Sequence, residues 1–290
     1  MNFVLRVFST VCINMTGMLS LYVITGMSGM FSMGQASFMA IGAYAAGMVA
    51  VNLHLPMIVG VLAGIVVGAL FAFLVGLPAI KLRRDFVALI TFAFGEAIVA
   101  LLNNFVSVFG GAQGLSGVPG KTTPLIAFLG LVFAIYVIYS FQKSKFGRQS
   151  LAVKSDELAA AAMGINVSRI KLIAFTLGGA ISAFAGTLYV HFTTYVEPNG
   201  FGWLTSAGWI IMVFVGGINS LTGAIFSGML LGALPEILRF ADEWRIVIYS
   251  AIVLIIVNFR PQGILGSYEF SITRIIRWFK KRLTRQSAAR

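Results

Sequence analysis

Long apolar runs, separated by short polar interruptions, make up nearly the whole chain. Eight of these runs predict membrane-spanning helices. They cover residues 3–24, 57–80, 86–104, 124–141, 172–190, 206–215, 221–238 and 246–258. A further apolar stretch, 25–51, contains several glycines and predicts either one more crossing or a re-entrant segment. We therefore predict an all-α polytopic membrane protein with about eight (8–9) transmembrane helices and Gly-rich broken or re-entrant segments.

The longest polar interruption is residues 143–171, which carries six of the 21 lysines and arginines. Within it the sequence predicts a short helix. Ser155 is the predicted N-cap, because its hydroxyl can accept a hydrogen bond from a free first-turn N–H group. Asp156 and Glu157 follow, where negative charge suits the helix N-terminus. Gly164 is the predicted left-handed residue just beyond the helix.

This helix would have about eight residues and is too short to be stable in isolation. It therefore needs a surface on which to dock, through the side chains of Leu158, Ala162, Met163 and Ile165. A solvated loop between two membrane helices is the alternative that composition alone favours. The cap and the apolar residues favour a loop that binds a partner.

The string LAAAAMG at 158–164 has the A-A-x-x-x-G spacing of the EAA loop in ABC-importer permeases, which it resembles. In those permeases a short coupling helix sits in a cleft of the ATPase subunit. Residues 147–175 more specifically resemble the LivM-type permeases of branched-chain amino acid importers. One departure is that Leu158 stands where the general motif has Glu; LivM-type permeases tolerate an aliphatic residue there. The resemblance implies that the ATPase-coupling residues are Ser155, Asp156, Glu157, Leu158, Ala159, Ala160, Met163 and Gly164.

The resemblance extends over about residues 11–266, through several short strings in the family's order. The strings are the Gly-rich stretch 25–48, TFAFGE at 91–96, GGAQGL at 110–115, GGINSLTG at 216–223 and FRPQGILG at 259–266. Each string is weak evidence, whereas their co-occurrence is specific. It implies a permease subunit of an ABC importer for branched-chain amino acids or a related small polar solute.

Four polar residues in apolar or Gly-rich surroundings are predicted to line the translocation path. Such groups are costly against lipid, and glycine permits a helix break at membrane depth. For the Gly-rich stretch, tight packing of small residues between helices is the structural alternative. For Glu96 the alternatives are a partner-interface ion pair or a protonated packing residue. The four residues are Ser32, Gln35, Glu96 and Asn219.

The net charge of +12 lies mostly beside the ends of the predicted spans. This positive-inside pattern places 81–85, the 143–171 interruption and the C-terminal tail in the cytoplasm. The N-terminus is then outside if 25–51 crosses once. Residues 1–266 form the predicted transmembrane domain, and 267–290 form a basic amphipathic tail along the anionic membrane lipid. The basic composition therefore does not indicate a nucleic-acid partner.

Composition argues against an enzyme, because 59% of the residues are hydrophobic and only 10% are charged. No stretch is long or polar enough for a soluble catalytic domain. No G-x-x-x-x-G-K-[ST] string for nucleotide phosphates occurs in the sequence. The two histidines are far apart in the sequence and Cys12 is the single cysteine, so neither a metal site nor another cofactor is predicted.

The resemblance also implies the partners. They are a second, LivH-like permease subunit, two ATP-binding subunits and an extracytoplasmic solute-binding protein that docks on the external loops around 110–124 and 192–203. The implied location is the bacterial plasma (inner) membrane. A permease for urea or short amides and an ATPase-independent secondary transporter remain open at this point.

Overall fold

The computed structural model describes residues 3–82, 84–238, 244–260, 262–264 and 266, and their fold is all-α, as predicted. The helices are α1 (Phe3–Leu21), α2 (Gln35–Asn52), α3 (Met57–Ala79), α4 (Arg84–Asn104), α5 (Val106–Phe109), α6 (Pro124–Lys143), α7 (Lys145–Ser155), α8 (Glu157–Ala162), α9 (Val167–Thr193), α10 (Trp203–Gly216), α11 (Leu221–Ile237) and α12 (Trp244–Phe259). Two short strands, β1 (Leu115–Ser116) and β2 (Tyr195–Val196), pair antiparallel.

Six helices in the described part of the chain are long and apolar enough to cross a membrane. Two further apolar helices are shorter. The long ones cover Phe3–Met27, Met57–Ala79, Phe86–Asn104, Pro124–Lys143, Val167–Thr193 and Pro198–Gly216, and the shorter ones cover Leu221–Ile237 and Val247–Phe259. This count is consistent with the predicted eight to nine transmembrane helices.

The polar interruption contains more helix than the sequence predicted. Residues 145–155 form α7, which begins where the Ser144 hydroxyl accepts a hydrogen bond from the Gly147 N–H group. α9 begins at Val167, five residues before the predicted span. Its N-cap is Asn166, whose side chain accepts from the Arg169 N–H group. The interruption is therefore a helical hairpin, and little of it is loop.

The Gly-rich stretch after α1 breaks the helix, as predicted. α1 continues as a π-helix over Tyr22–Met27, and regular helix resumes only at Gln35, the first residue of α2. Gly29 has φ of +70° in the intervening segment, a conformation that favours glycine. The chain therefore changes direction within the protein, where a helix break is tolerated because other protein groups can satisfy the freed backbone.

Helix α2 lies at the centre of the bundle, and most of its residues are buried. It packs against α9 through glycines in both helices. A Cβ atom at Gly42 would overlap the Ala183 backbone, and one at Gly186 would overlap the Met39 carbonyl oxygen. The two backbones are thus in direct contact, which is typical of membrane helices that associate through small residues.

Helix α3 presents small residues to the core and large residues outward. Its buried positions recur every three or four residues and are Gly60, Gly64, Gly68, Ala72, Gly76 and Ala79. Its exposed positions include Leu62, Val66, Leu70, Phe73 and Leu77. A lipid-facing surface explains this distribution, because burying large apolar groups gains little when the surroundings are equally apolar.

The bundle has two distinct ends. At the end that we call the strand end, β1 and β2 pair, the Tyr44 hydroxyl donates to the Val196 carbonyl, and Phe8 near the start of α1 stacks on Phe128 near the start of α6. The opposite end, which we call the hairpin end, carries α7 and α8. The predicted external loops around 110–124 and 192–203 therefore lie on one side, together with the start of α1.

Candidate functional site: a helical hairpin below a broken helix

The short helix α8 is capped by Asp156, and the prediction that Ser155 is the cap was wrong. The Asp156 side chain accepts hydrogen bonds from the Leu158 and Ala159 N–H groups at 2.8 and 3.0 Å. Ser155 is instead the last residue of α7, and its hydroxyl donates to the Leu151 carbonyl. α8 has six residues, fewer than predicted. Gly164, at φ +79°, ends it as expected.

One face of α8 holds the hairpin together and the other is exposed. Ala160 packs in a small apolar cluster with Val153 of α7 and Ile170 of α9. Leu158 and Met163 point away and are 84% and 83% exposed. Two large apolar side chains on an already docked helix are a feature of surfaces that bind a partner.

An ion pair fixes the first turn of α8 to α9. The Glu157 carboxylate accepts from the Lys171 ammonium at 2.7 Å, and the Lys171 side chain is only 4% exposed. A buried lysine is stable in its charged form only when it is paired. This pair therefore holds α8 in a fixed position relative to the long helix α9.

We expect Glu157→Gln to loosen α8, because the buried Lys171 ammonium loses its anionic partner. Glu157 is about one-third exposed, and solvent weakens its interaction with Lys171. We therefore expect the free energy that holds α8 in place to fall by roughly 1–2 kcal/mol. Faster amide hydrogen exchange over 157–163 would report it. The Glu157→Lys, Lys171→Glu double variant should recover part of the protection, whereas Glu197→Gln, at an exposed site on the strand end, should leave it unchanged. Unchanged exchange in Glu157→Gln would contradict a stabilising role for the pair.

The break between α1 and α2 is held by hydroxyl groups of other helices. The Met33 N–H group donates to Thr91 Oγ1 of α4 at 3.0 Å, and the Ala36 N–H group donates to Ser206 Oγ of α10 at 2.9 Å. Gly34 lies directly against the Thr91 carbonyl, where a Cβ atom would overlap it. The conformation of the break therefore depends on contacts that no local sequence pattern specifies.

The break also contains polar side-chain atoms that have no partner. Thr25 Oγ1, Ser32 Oγ and Gln35 Oε1 are buried and make no hydrogen bond within the described structure. Gln35 is otherwise held, since its Nε2 donates to Ser20 Oγ at 3.0 Å. Leaving a buried polar group unsatisfied costs about 1–3 kcal/mol. Three such atoms around one break are a feature that a polar ligand or water would explain.

The other two predicted path residues have protein partners. Glu96 Oε1 accepts from the Trp203 N–H group at 3.1 Å, so its carboxylate caps the N-terminus of α10, where Gly202 offers no side-chain cap. Asn219 lies at the hairpin end, in the turn between α10 and α11. Its Oδ1 accepts from Lys154 Nζ of α7 at 2.6 Å. The four predicted residues therefore do not form one cluster.

No group of three His, Cys, Asp or Glu side chains in the described residues could hold a metal ion. Cys12 is buried as a free cysteine. Within these residues the chemistry of the candidate site is that of hydroxyl, amide and carbonyl groups beside a docking helix. The fold is that of an all-α polytopic membrane protein.

The chain belongs to the family described as "Branched-chain amino acid transport system / permease component", whose model matches residues 3–257. It is 30% identical to the high-affinity branched-chain amino acid transport system permease protein LivM of Salmonella typhimurium, over 85% of this chain and 66% of that protein. It is 29% identical to LivM of Escherichia coli over the same shares.

The chain thus spans about two thirds of the length of these two relatives. It is also 29% identical to the permease protein LivH of Salmonella typhimurium, over 50% of this chain and 46% of that protein. No solved structure matches. The predicted resemblance to LivM-type permeases is confirmed.

Proposed function

We propose that this chain is the membrane-spanning permease subunit of an ATP-driven importer of branched-chain amino acids. The observation that carries the proposal is α8, which is docked on its own chain and still exposes Leu158 and Met163 at the hairpin end. Family membership and the transport systems named for the relatives support it. The chain would supply half of the translocation path and no catalytic group.

The proposed partners follow from this role. Two ATP-binding subunits would bind the hairpin end, one of them through residues 155–164, and a second, LivH-like permease would complete the path. An extracytoplasmic solute-binding protein would dock on the strand end. The complex would lie in the bacterial inner membrane, with 1–266 as the transmembrane domain and the basic 267–290 tail, which lies outside the described residues, on the anionic lipid.

Affinity purification of the tagged chain from its native membrane tests the proposal. We expect a second permease and two ATPases to co-purify, and the complex with its binding protein to accumulate L-leucine in vesicles only when ATP is supplied. Urea and acetamide should not be accumulated. A chain that purifies alone and moves solute without ATP would refute the importer and favour a secondary transporter.

We further propose that the break between α1 and α2 contacts the passing solute, through Ser32 and Gln35. Their partnerless oxygens support this placement, because a solute with N–H donors could satisfy them in passing. Glu96 and Asn219 would lie at the two ends of the path, where they hold α10 and the turn that follows it.

Ser32→Ala tests whether the Ser32 hydroxyl contacts the passing solute or serves only in packing of the protein. Removing a buried hydroxyl that has no partner should leave the unfolding temperature unchanged or raise it slightly. If the hydroxyl binds solute, we expect the KM for L-leucine uptake to rise about fivefold to tenfold, the value of one hydrogen bond of about 1–1.5 kcal/mol.

Ser28→Ala is the matched control, since the Ser28 hydroxyl is buried and donates to the Ile24 carbonyl at 2.6 Å. This change should lower stability by about 1 kcal/mol without the same rise in KM. An unaltered KM in Ser32→Ala would remove Ser32 from the path.

A further inference from the structure

Lys154, near the end of α7, reaches two separate interruptions of the membrane helices. Its ammonium nitrogen lies 2.6 Å from the Gly26 carbonyl oxygen in the π-helix that ends α1. The same nitrogen lies 2.6 Å from Asn219 Oδ1 and 3.4 Å from the Ile218 carbonyl oxygen, both in the turn after α10. One side chain of the hairpin therefore contacts the broken helix and the α10–α11 turn together.

The charge of Lys154 suits this position. The π-helix and α10 both run toward the hairpin end, so that their C-terminal carbonyl groups face it with partial negative charge. The two interruptions also touch each other, since a Cβ atom at Gly26 would lie 2.9 Å from the Ile218 carbonyl oxygen. The ammonium group thus sits where two helix ends and two backbones converge.

The connection between Lys154 and the partner-binding helix is short and rigid. Only Ser155 separates Lys154 from Asp156, the N-cap of α8. Val153, the neighbour of Lys154, is fully buried against Ala160 of α8 in the cluster that holds the hairpin together. A displacement of α8 therefore displaces Lys154 with it, because little flexible chain lies between them.

We propose that Lys154 is a positioning residue that transmits displacement of α8 to the junction of Gly26 with the 218–219 turn. This proposal rests on the proposed importer function. ATP-driven movement of α8 pulls or releases the two helix ends through the ammonium group. The break that carries Ser32 and Gln35 follows the π-helix directly, so its geometry changes with the position of the hairpin.

Lys154→Met tests the proposal in the complete complex, reconstituted in vesicles with its binding protein. The measured quantity is the number of L-leucine molecules accumulated per ATP hydrolysed. We expect this ratio to fall tenfold or more, with ATP hydrolysis at half the wild-type rate or above. A ratio within twofold of wild type would overturn the proposal, even if both rates fell together, because a purely structural role lowers the two in proportion.

Chemical restoration of the side chain shows whether the charge of the ammonium group is needed, or only the volume of the side chain. The chain has one cysteine, buried Cys12, so Cys12→Ser provides a background for Lys154→Cys. Alkylation with 2-bromoethylamine rebuilds a lysine-like side chain, and 2-bromoethanol gives a neutral side chain of the same length. We expect the amine to restore at least half of the ratio and the alcohol to restore none. Equal restoration by both reagents, or none by the amine, would overturn the proposal.

Asn219 provides a second variant if the Lys154 variants fail to assemble. Asn219→Ala removes an oxygen that accepts from the Lys154 ammonium and should lower the ratio twofold to fivefold. Asn219→Asp keeps an acceptor opposite the ammonium and should preserve the ratio. Identical ratios in these two variants would overturn the proposal. The wild-type complex in the same vesicles separates failure of the Lys154 proposal from failure of the importer proposal. A wild-type complex without ATP-dependent uptake would refute the importer function itself.

Discussion

Gly186→Ala is expected to destabilise the helix bundle strongly, although it adds only one methyl group. The new Cβ atom would overlap the Met39 carbonyl oxygen and lie 2.8 Å from the Ala43 nitrogen, both in the backbone of α2. Backbone atoms cannot rotate away as side chains do, so α2 and α9 would have to separate. Overpacking of this kind costs about 3 kcal/mol, which would lower the unfolding temperature in detergent by about 10 °C.

Gly208→Ala in α10 is the matched control, because a Cβ atom at Gly208 meets no other atom within 4 Å. The same substitution there should be neutral or stabilising by up to about 1 kcal/mol, since alanine favours helix more than glycine does. Equal unfolding temperatures for the two variants would show that the contact between α2 and α9 is looser than described.

Leu158→Asp and Met163→Asp are expected to abolish binding of the proposed ATPase subunit while the permease stays folded. Both side chains are almost fully exposed, so a charge there changes the free energy of unfolding by no more than about 0.5 kcal/mol. A buried anchor of a protein interface typically contributes about 2 kcal/mol or more, and losing it weakens binding about 30-fold or more. The measurement is the amount of ATPase that co-purifies with each tagged variant, beside its unfolding temperature.

Leu53→Asp makes the same chemical change on the opposite end of the molecule. Leu53 is 61% exposed beyond the end of α2. This variant should retain the ATPase at the wild-type level. Normal ATPase recovery in Leu158→Asp and Met163→Asp would contradict the proposed role of α8 and leave its exposed side chains without a partner.

The membrane helices could be predicted from the sequence because their apolar runs are long and their ends carry strong signals. The predicted span 57–80 and the observed α3, Met57–Ala79, nearly coincide. The helices against which α3 packs could not be predicted in the same way. Its glycines indicate a face of small residues, but they do not indicate that this face meets α9, about 100 residues later in the sequence.

The hairpin was only partly predictable. Ser155 and Asp156 are both good N-cap residues, and the choice between them depends on where α7 ends. α7 itself was missed because its sequence is mostly polar, and only its packing beside α8 and α9 makes the buried position of Val153 apparent.

The predicted path residues show the same limit. A buried polar position can be recognised from the sequence, as for Ser32 and Gln35, but its partners cannot. Asn219 meets Lys154, 65 residues away, and the N–H group of Ala36 meets Ser206, 170 residues away. Long-range contacts of this kind decide whether a polar residue is satisfied by the protein or left for a ligand.

The strand end is held together by hydrogen bonds between segments that are far apart in the sequence. There the 115–116 and 195–196 strands pair, the Thr122 N–H group donates to the His191 carbonyl, and Asn103 donates to Asn199. In the proposed importer these hydrogen bonds would hold the strand end in place while α9 pivots about it. α9 has 27 residues and is about 40 Å long. A tilt of α9 by about 10° about the strand end would therefore move its first residues, and the hairpin fixed to them, by about 7 Å.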